Sequence, residues 1–182
     1  MRPYRFGLIL GRFQTFHNGH KQIMDTAARL CDTVGVFIGS AQESGTEKNP
    51  FTYEQRRDMI LKVCKKRTEV YPIVDMGFGN NAKWGEYVIA RVRECCGKTP
   101  DLFVSGREER RVDWFDSVED VCMAELYIPK TIDISASRMR EYMISGDFDS
   151  WKAFMPKELW GDFKQLRETV AAACGNKKTD SI

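Results

Sequence analysis

Short apolar runs alternate with amphipathic stretches along this chain, and the alternation constrains the fold more than any other feature of the sequence. Residues 6–10 and 34–38 are apolar runs that end at a glycine, as buried strands often do. Between them, residues 23–30 place apolar side chains on one face of a helix. The pattern continues in the order strand, helix, strand, helix, strand, helix, strand, strand, helix, helix. This order predicts an α/β fold: a doubly wound, Rossmann-like parallel sheet with C-terminal helices.

Capping and turn residues mark several element boundaries. Thr52 and Gln55 fit a capping box at a helix start, and Gly146 can end the helix that begins near Ser135. Pro72 interrupts the third apolar run, which favours an edge or irregular position for that strand. A last helix is predicted from apolar residues at helical spacing: Leu159, Phe163, Leu166 and Val170.

The size and charge of the chain limit its organisation and its partners. Its 182 residues, 42% of them hydrophobic, are enough for one folded core. We expect an α/β core over residues 1–148, a helical appendage over 149–175 packed on that core, and a polar tail over 176–182. The formal net charge of +2 argues against a nucleic-acid-binding protein, although a local cluster of cations remains compatible with it.

Cysteine spacing and hydropathy predict the compartment. The six cysteines include no CxxC pair, which favours buried free thiols over a disulfide framework or a zinc site. Free thiols are typical of a reducing compartment. No stretch resembles a signal peptide, and no apolar run is long enough to span a bilayer. The chain is therefore predicted to be cytoplasmic, with no membrane partner.

The two histidines of the chain both lie in the turn after the first predicted strand, "GRFQTFHNGH". His17 and His20 are three residues apart, so they can face the same point at the start of a helix. A helix amino terminus offers free N–H groups and a positive dipole end, which suit a phosphate. Arg12 adds a permanent cation, while Gly11 and Gly19 permit close packing. The turn is predicted to bind a phosphate chain.

Other phosphate and metal sites match this turn less well. The chain has no GxxxxGK[ST] pattern of a P-loop, and the turn has no G-x-G-x-x-G fingerprint of dinucleotide-binding dehydrogenases. No further ligands stand at the spacing that a zinc site requires. Two turn histidines held by backbone groups, without a function, are the alternative.

A second helix start also carries polar and cationic side chains. Ser135 or Ser137 can cap this helix, and Arg140 lies one turn further along on the same side. The helix amino terminus and the guanidinium suit a triphosphate, whereas surface charge alone is the alternative for Arg140.

These stretches carry a family resemblance. "GRFQTFHNGH" closely resembles the GRFQPFHxGH turn of the HxGH nucleotidyltransferase superfamily. "NPFTYEQRRDMI", "NAKW" and "ISASRMR" resemble, in the same order, the NPFTxxER, N-x-x-W and ISxTxxR stretches of archaeal-type nicotinamide mononucleotide (NMN) adenylyltransferases. The stretch "MGFGNNAKW" is longer between Asp75 and Trp84 than is usual in that family, and residues 105–111 are more charged.

The resemblance implies a reaction in NAD biosynthesis or salvage. AMP would pass from ATP to NMN, giving NAD and pyrophosphate. The attacking phosphate oxygen is already ionised, so catalysis requires alignment and charge neutralisation rather than a general base. Mg²⁺ would enter with ATP, held mainly by phosphate oxygens, with no dedicated metal site on the protein. Family members are often homo-oligomers, so a homo-oligomer is expected.

The resemblance also assigns residues. Catalytic roles fall to His17, His20, Arg12 and Arg140. The expected ATP contacts are Gly11, Arg12, Phe13, Gln14, His17, Gly19, His20, Ser135, Ser137 and Arg140. The expected NMN contacts are Arg56, Asn81, Trp84 and Asp75, with Trp84 stacked on the nicotinamide ring.

Two other functions stay open. Another HxGH nucleotidyltransferase would act on phosphopantetheine, or transfer CMP as a cytidylyltransferase does, but those enzymes carry an aspartate where this chain has Gln14. A nucleotide-binding module without turnover would bind ATP and release no pyrophosphate.

Overall fold

The computed structural model describes residues 1–64, 66–106 and 114–175. Within these residues, five strands form one sheet in the order β3-β2-β1-β4-β5, and every neighbouring pair is parallel. The strands are β1 (Tyr4–Gly11), β2 (Cys31–Ile38), β3 (Thr68–Pro72), β4 (Leu102–Ser105) and β5 (Ala124–Tyr127). The predicted doubly wound parallel sheet is confirmed. β3 is an edge strand, as Pro72 predicts, because an edge tolerates a residue without an N–H group.

The helices begin and end largely where their caps predict. They are α1 (Asn18–Leu30), α2 (Tyr53–Val63), α3 (Asn81–Cys96), α4 (Ala136–Ser145), α5 (Phe148–Phe154) and α6 (Phe163–Gly175), with a 3-10 helix at Lys157–Asp162. Both hydrogen bonds of the capping box between Thr52 and Gln55 are present. The Ser135 hydroxyl accepts the Arg138 N–H at 3.2 Å, and Gly146 ends α4 in the left-handed conformation.

The C-terminal region differs from the prediction. The single last helix expected around Leu159 and Val170 is a 3-10 helix followed by α6, and α5 precedes both. Asp147 caps α5 by accepting the Ser150 N–H at 3.0 Å, and Trp151 is fully buried. At seven residues, α5 is too short for apolar periodicity to reveal it.

Helices cover both faces of the sheet. On one face, α3 packs its apolar side chains against β1, β2 and β4. On the other face, residues of α1, α2, α4, α5 and α6 share one apolar cluster with β1 and β2. Trp151, Leu166 and Val170 belong to this second cluster, so the C-terminal helices pack directly on the core. The expected tail over 176–182 lies outside the described residues.

The six cysteines all lie within the described residues and are free thiols. Cys31 is buried, Cys122 is exposed and the other four cysteines are partly buried. The prediction of free thiols is therefore confirmed, whereas the prediction that they are buried is confirmed only for Cys31. None of the described helices has the length and apolar character needed to cross a bilayer.

Candidate active site

A cavity of about 640 Å³ opens at the carboxyl end of the sheet. Its walls include residues at the ends of the five strands and just after them: 11–13, 39–40, 73, 75, 105–106 and 128–132. In parallel sheets, ligands bind outside the carboxyl ends of the strands, near the point where the strand order reverses. The cavity therefore occupies the position that the fold predicts for a ligand.

The two histidines stack on each other in the cavity wall. Their ring centroids are 3.8 Å apart with an interplanar angle of 23°. His17 is the N-cap residue of α1, and its carbonyl oxygen accepts the His20 N–H at 2.9 Å. Phe13 presents its ring edge to His20, with centroids 4.9 Å apart. The fold thus brings both imidazoles to one point at the amino terminus of α1, as their spacing predicts.

Two glycines make this close arrangement possible. A Cβ atom at Gly19 would lie 3.0 Å from Nδ1 of His17, and one at Gly11 would lie 2.9 Å from the Phe13 ring. At Gly19 the His17 ring would have to give way by a few tenths of an ångström, and at Gly11 the Phe13 ring would have to shift. The two glycines therefore permit the close packing of the turn.

Both imidazoles are neutral at neutral pH. Burial, with a smaller contribution from the charge of Lys130, lowers the pKa of His17 to about 4. Burial and then the neighbouring His17 hold the pKa of His20 well below its usual value. The buried Nδ1 atom of each ring has no hydrogen-bond partner among the residues that the structure describes. Since a buried nitrogen without a partner is costly, the pair is suited to a polar ligand.

Cations and a helix start lie beside the histidines. Arg12 lines the cavity and is exposed. Arg140 donates to the Gln14 carbonyl and, at 3.2 Å, to the Ser137 hydroxyl. Burial, followed by the nearby charge of Arg12, lowers the pKa of Arg140 below its ordinary value. The α4 start therefore lies next to the histidine turn, although Arg140 and the two serines are not part of the cavity wall.

Arg56 does not line the cavity. Its side chain is fully buried, and burial lowers its pKa to about 10, so it remains charged at neutral pH. All five N–H groups of its guanidinium donate to carbonyl oxygens, which belong to Arg12, Gly39, Ser40, Glu43 and Thr52. In this arrangement Arg56 joins the ends of β1 and β2 to α2, which leaves no N–H group for NMN.

Gln14, which was expected to contact ATP, lies outside the cavity wall. Its side-chain amide donates to the Phe51 carbonyl at 2.9 Å, and its oxygen accepts the Phe51 N–H at 2.9 Å. The side chain is 3% exposed and does not line the cavity. Gln14 therefore ties the histidine turn to the "NPFT" stretch.

Three of the four residues expected to contact NMN lie just after β3 and at the start of α3. Asp75, Asn81 and Trp84 all line the cavity. The Trp84 ring lies edge to face with that of Trp114, with centroids 6.0 Å apart. Both rings are part of an aromatic wall in the same cavity as the histidine pair.

Several cavity residues were not predicted from the sequence, among them Phe78, Trp114 and Lys130. Lys130 follows β5 and pairs with Asp133 at 2.8 Å. Lys130 follows a predicted strand, and residues that follow parallel strands are expected near the ligand, so its position in the sequence indicates the cavity. The charged stretch at 105–111 lies almost entirely outside the described residues. Among those residues, no group of three or more His, Cys, Asp or Glu side chains is placed to hold a metal ion.

Comparisons with known proteins agree with this geometry. The sequence profile of the cytidylyltransferase-like family matches residues 8–142. Nicotinamide-nucleotide adenylyltransferase of Thermococcus onnurineus is 31% identical over 166 residues, covering 88% of this chain and 83% of the relative. The enzyme of the same name from Methanococcus aeolicus is 34% identical over 154 residues, covering 82% of each chain.

A solved structure has the same fold. A bifunctional NMN adenylyltransferase/ADP ribose pyrophosphatase from Francisella tularensis, in complex with AMP and a manganese ion, superposes with a TM-score of 0.76. The match covers 96% of this chain at 18% identity, and the chain spans about half of that protein, 53%.

Proposed function

Because the chain belongs to the cytidylyltransferase-like family, we propose that it is a nicotinamide-nucleotide adenylyltransferase. It transfers AMP from ATP to NMN, giving NAD and pyrophosphate. The observation that carries this proposal is the stacked pair of neutral imidazoles beside Arg12 and a helix amino terminus. The buried Nδ1 atoms of the pair have no hydrogen-bond partner in the part of the chain that the structure describes. The archaeal relatives support NMN as the acceptor.

The reaction is a displacement at the α-phosphorus of ATP. An ionised oxygen of the NMN phosphate forms the new bond to this phosphorus, and the bond to the bridging oxygen of pyrophosphate breaks. The negative charge that accumulates on the α-phosphate and on pyrophosphate has to be neutralised. His17 and His20 donate hydrogen bonds to the phosphate chain, and Arg12 and Arg140 supply the positive charge. Gly11, Phe13 and Gly19 shape the turn that holds the triphosphate.

The amino terminus of α4, at Ser135, also contributes to binding the phosphates of ATP. Ser135 uses its hydroxyl to cap α4, so its contribution to ATP is the fixed direction of the helix. Ser137 holds Arg140 at 3.2 Å and thereby orients the guanidinium. These residues act on the phosphates through Arg140 and the helix dipole.

The aromatic wall accepts the nicotinamide end of NMN. Its ring is a planar cation, which is attracted to the electron-rich face of Trp84. Asn81 is placed to hydrogen-bond the carboxamide, and the Asp75 carboxylate favours a cationic ring over an additional negative group. Arg56 acts indirectly, by holding the carbonyl-rich ends of β1 and β2 in place.

Three further features belong to this proposal. Mg²⁺ enters with ATP, and its ligands are phosphate oxygens and water, which it prefers. We place the reaction in the cytoplasm, where free thiols persist. We also expect a homo-oligomer, which size-exclusion chromatography with light scattering would test.

The decisive experiment compares two nucleotide donors and three acceptors. Purified protein with Mg²⁺ receives ATP or CTP together with NMN, nicotinic acid mononucleotide or phosphopantetheine, and pyrophosphate release is followed. We expect ATP with NMN to give the fastest release and NAD as the product. Faster release with CTP or phosphopantetheine would assign another activity of the family. ATP binding without pyrophosphate release from any acceptor would indicate a nucleotide-binding module.

A further inference from the structure

The segment between β3 and α3 carries exposed apolar side chains beside the cavity. Val74, Met76 and Phe78 are 40%, 53% and 40% exposed. Of these three, Phe78 lines the cavity. A partly exposed phenylalanine at the edge of a ligand cavity leaves apolar area in solvent that a bound ring would cover.

Phe78 belongs to the aromatic wall of the cavity. Its ring lies edge to face with that of Tyr87, with centroids 5.6 Å apart and an interplanar angle of 68°. The Tyr87 ring is in turn 5.7 Å from that of Trp84. Phe78 and Trp84 therefore approach the cavity from two sides of one tyrosine.

Fixed anchors flank the segment. On one side, Gln42 makes two hydrogen bonds of 3.2 Å to the backbone of Asp75, one to its carbonyl and one from its N–H. On the other side, the Asn80 side chain accepts the Lys83 N–H at 3.0 Å and caps α3. The segment is thus held at one end by the loop that follows β2 and at the other end by the start of α3.

Between these anchors, Phe78 stands between two glycines. Gly77 and Gly79 have φ angles of +62° and +60°, which a glycine adopts without strain. Among the described residues, no atom lies within 4 Å of a Cβ built at either position, so there is room for a ligand ring beside Phe78. The Gly77 N–H donates to the Asp75 carboxylate at 3.1 Å, which holds the loop next to the cavity.

We propose that Phe78 contacts the nicotinamide ring of NMN and, with Trp84, determines the affinity for the acceptor. This inference rests on the proposed function. The contact is between a cationic planar ring and an aromatic side chain, which attract each other. It is made by the longer stretch between Asp75 and Trp84, by which this chain differs from the family that it resembles.

The test compares Phe78→Ala with Met76→Ala, a change on the same loop at a more exposed residue outside the cavity wall. We expect Phe78→Ala to raise KM for NMN about tenfold, the size of one aromatic contact, and to leave KM for ATP within about twofold. Phe78→Leu, which keeps most of the apolar volume, gives an intermediate KM. Met76→Ala leaves both constants unchanged.

A truncated ligand makes the test sharper. Ribose 5-phosphate has the sugar and phosphate of NMN without the ring, and we expect its inhibition constant against NMN to be the same in wild type and Phe78→Ala. An unchanged KM for NMN in Phe78→Ala, or an equal loss for ribose 5-phosphate, overturns the inference. So does a larger rise in KM for ATP, which would place the adenine ring on Phe78. If the wild type makes no NAD, the proposed function fails instead.

Discussion

The burial of the histidine pair predicts a specific loss of stability in acid. In the unfolded chain His17 takes up a proton near pH 6.5, whereas in the folded protein it does so only near pH 4. Between these values the unfolded chain binds more protons, so the free energy of unfolding falls as the pH falls. The stabilising effect of the neutral ring is complete above pH 6.5 and is lost as the pH approaches 4.

The size of this loss follows from the two pKa values. The gap between 6.5 and about 4 corresponds to roughly 3 kcal/mol in full. About 2 kcal/mol of this is lost between pH 7 and pH 5. We therefore expect urea unfolding of His17→Gln to lose about 2 kcal/mol less than the wild type over that interval. The two proteins share every other titrating side chain. The variant also removes the smaller of the two causes that lower the pKa of His20, while the burial of that ring remains.

NMR provides an independent measurement, because the chain has only two imidazoles to assign. The His17 ring signal should remain at its neutral position down to about pH 5 in the folded protein, and the His20 signal should also titrate well below the ordinary imidazole pKa. ATP with Mg²⁺ should move them toward the protonated position, since phosphate charge favours the imidazolium. Parallel stability curves for wild type and His17→Gln, together with ring signals that titrate near pH 6.5, would refute the reasoning.

Three further changes probe different parts of the site. His20→Ala should lower kcat about 100- to 1000-fold, with the melting temperature nearly unchanged, and a loss below about tenfold would contradict a role at the phosphates. Arg56→Lys should lower the free energy of unfolding by about 3 kcal/mol, since lysine cannot bond all five carbonyls. The exposed Arg57→Lys is the control, and equal urea midpoints would disprove the account. In Gly85→Ala, the new Cβ would lie 1.3 Å from the Trp114 carbonyl oxygen, so KM for NMN should rise more than KM for ATP. An equal rise in KM for NMN and for ATP would show that the position of Trp114 does not affect NMN binding specifically.

Much of the fold could be predicted because its signals are local. Thr52 and Gln55 cap α2 through bonds to their own neighbours, and Ser135 and Gly146 bound α4 in the same way. Pro72 marks an edge because it lacks an N–H group. Each of these constraints acts within a few residues, so the sequence alone expresses it.

The cavity was only partly predictable, because long-range contacts decide which motif residues reach it. His17 and His20 converge through helix geometry, which spacing reveals. Arg56 occupies a motif position as well, but four of the five carbonyls around it come from segments outside its own helix. Phe78 shows no periodic pattern and reaches the cavity because its flanking segment is anchored at both ends.

The motif residues thus divide into those that line the cavity and those that hold it together, and the division has a physical cause. A buried guanidinium with all its donors paired is fixed in position, so Arg56 can set the spacing between β1, β2 and α2. Gln14 sets the distance from the histidine turn to the start of α2, and Arg140 sets the distance from the same turn to α4. The imidazoles, in contrast, keep buried Nδ1 atoms that have no partner among the residues that the structure describes, and the frame around them holds the rings in place. A change in the frame should therefore alter stability and activity together, whereas a change in the imidazoles should alter activity alone at neutral pH, and the two kinds of residue can be separated on that criterion.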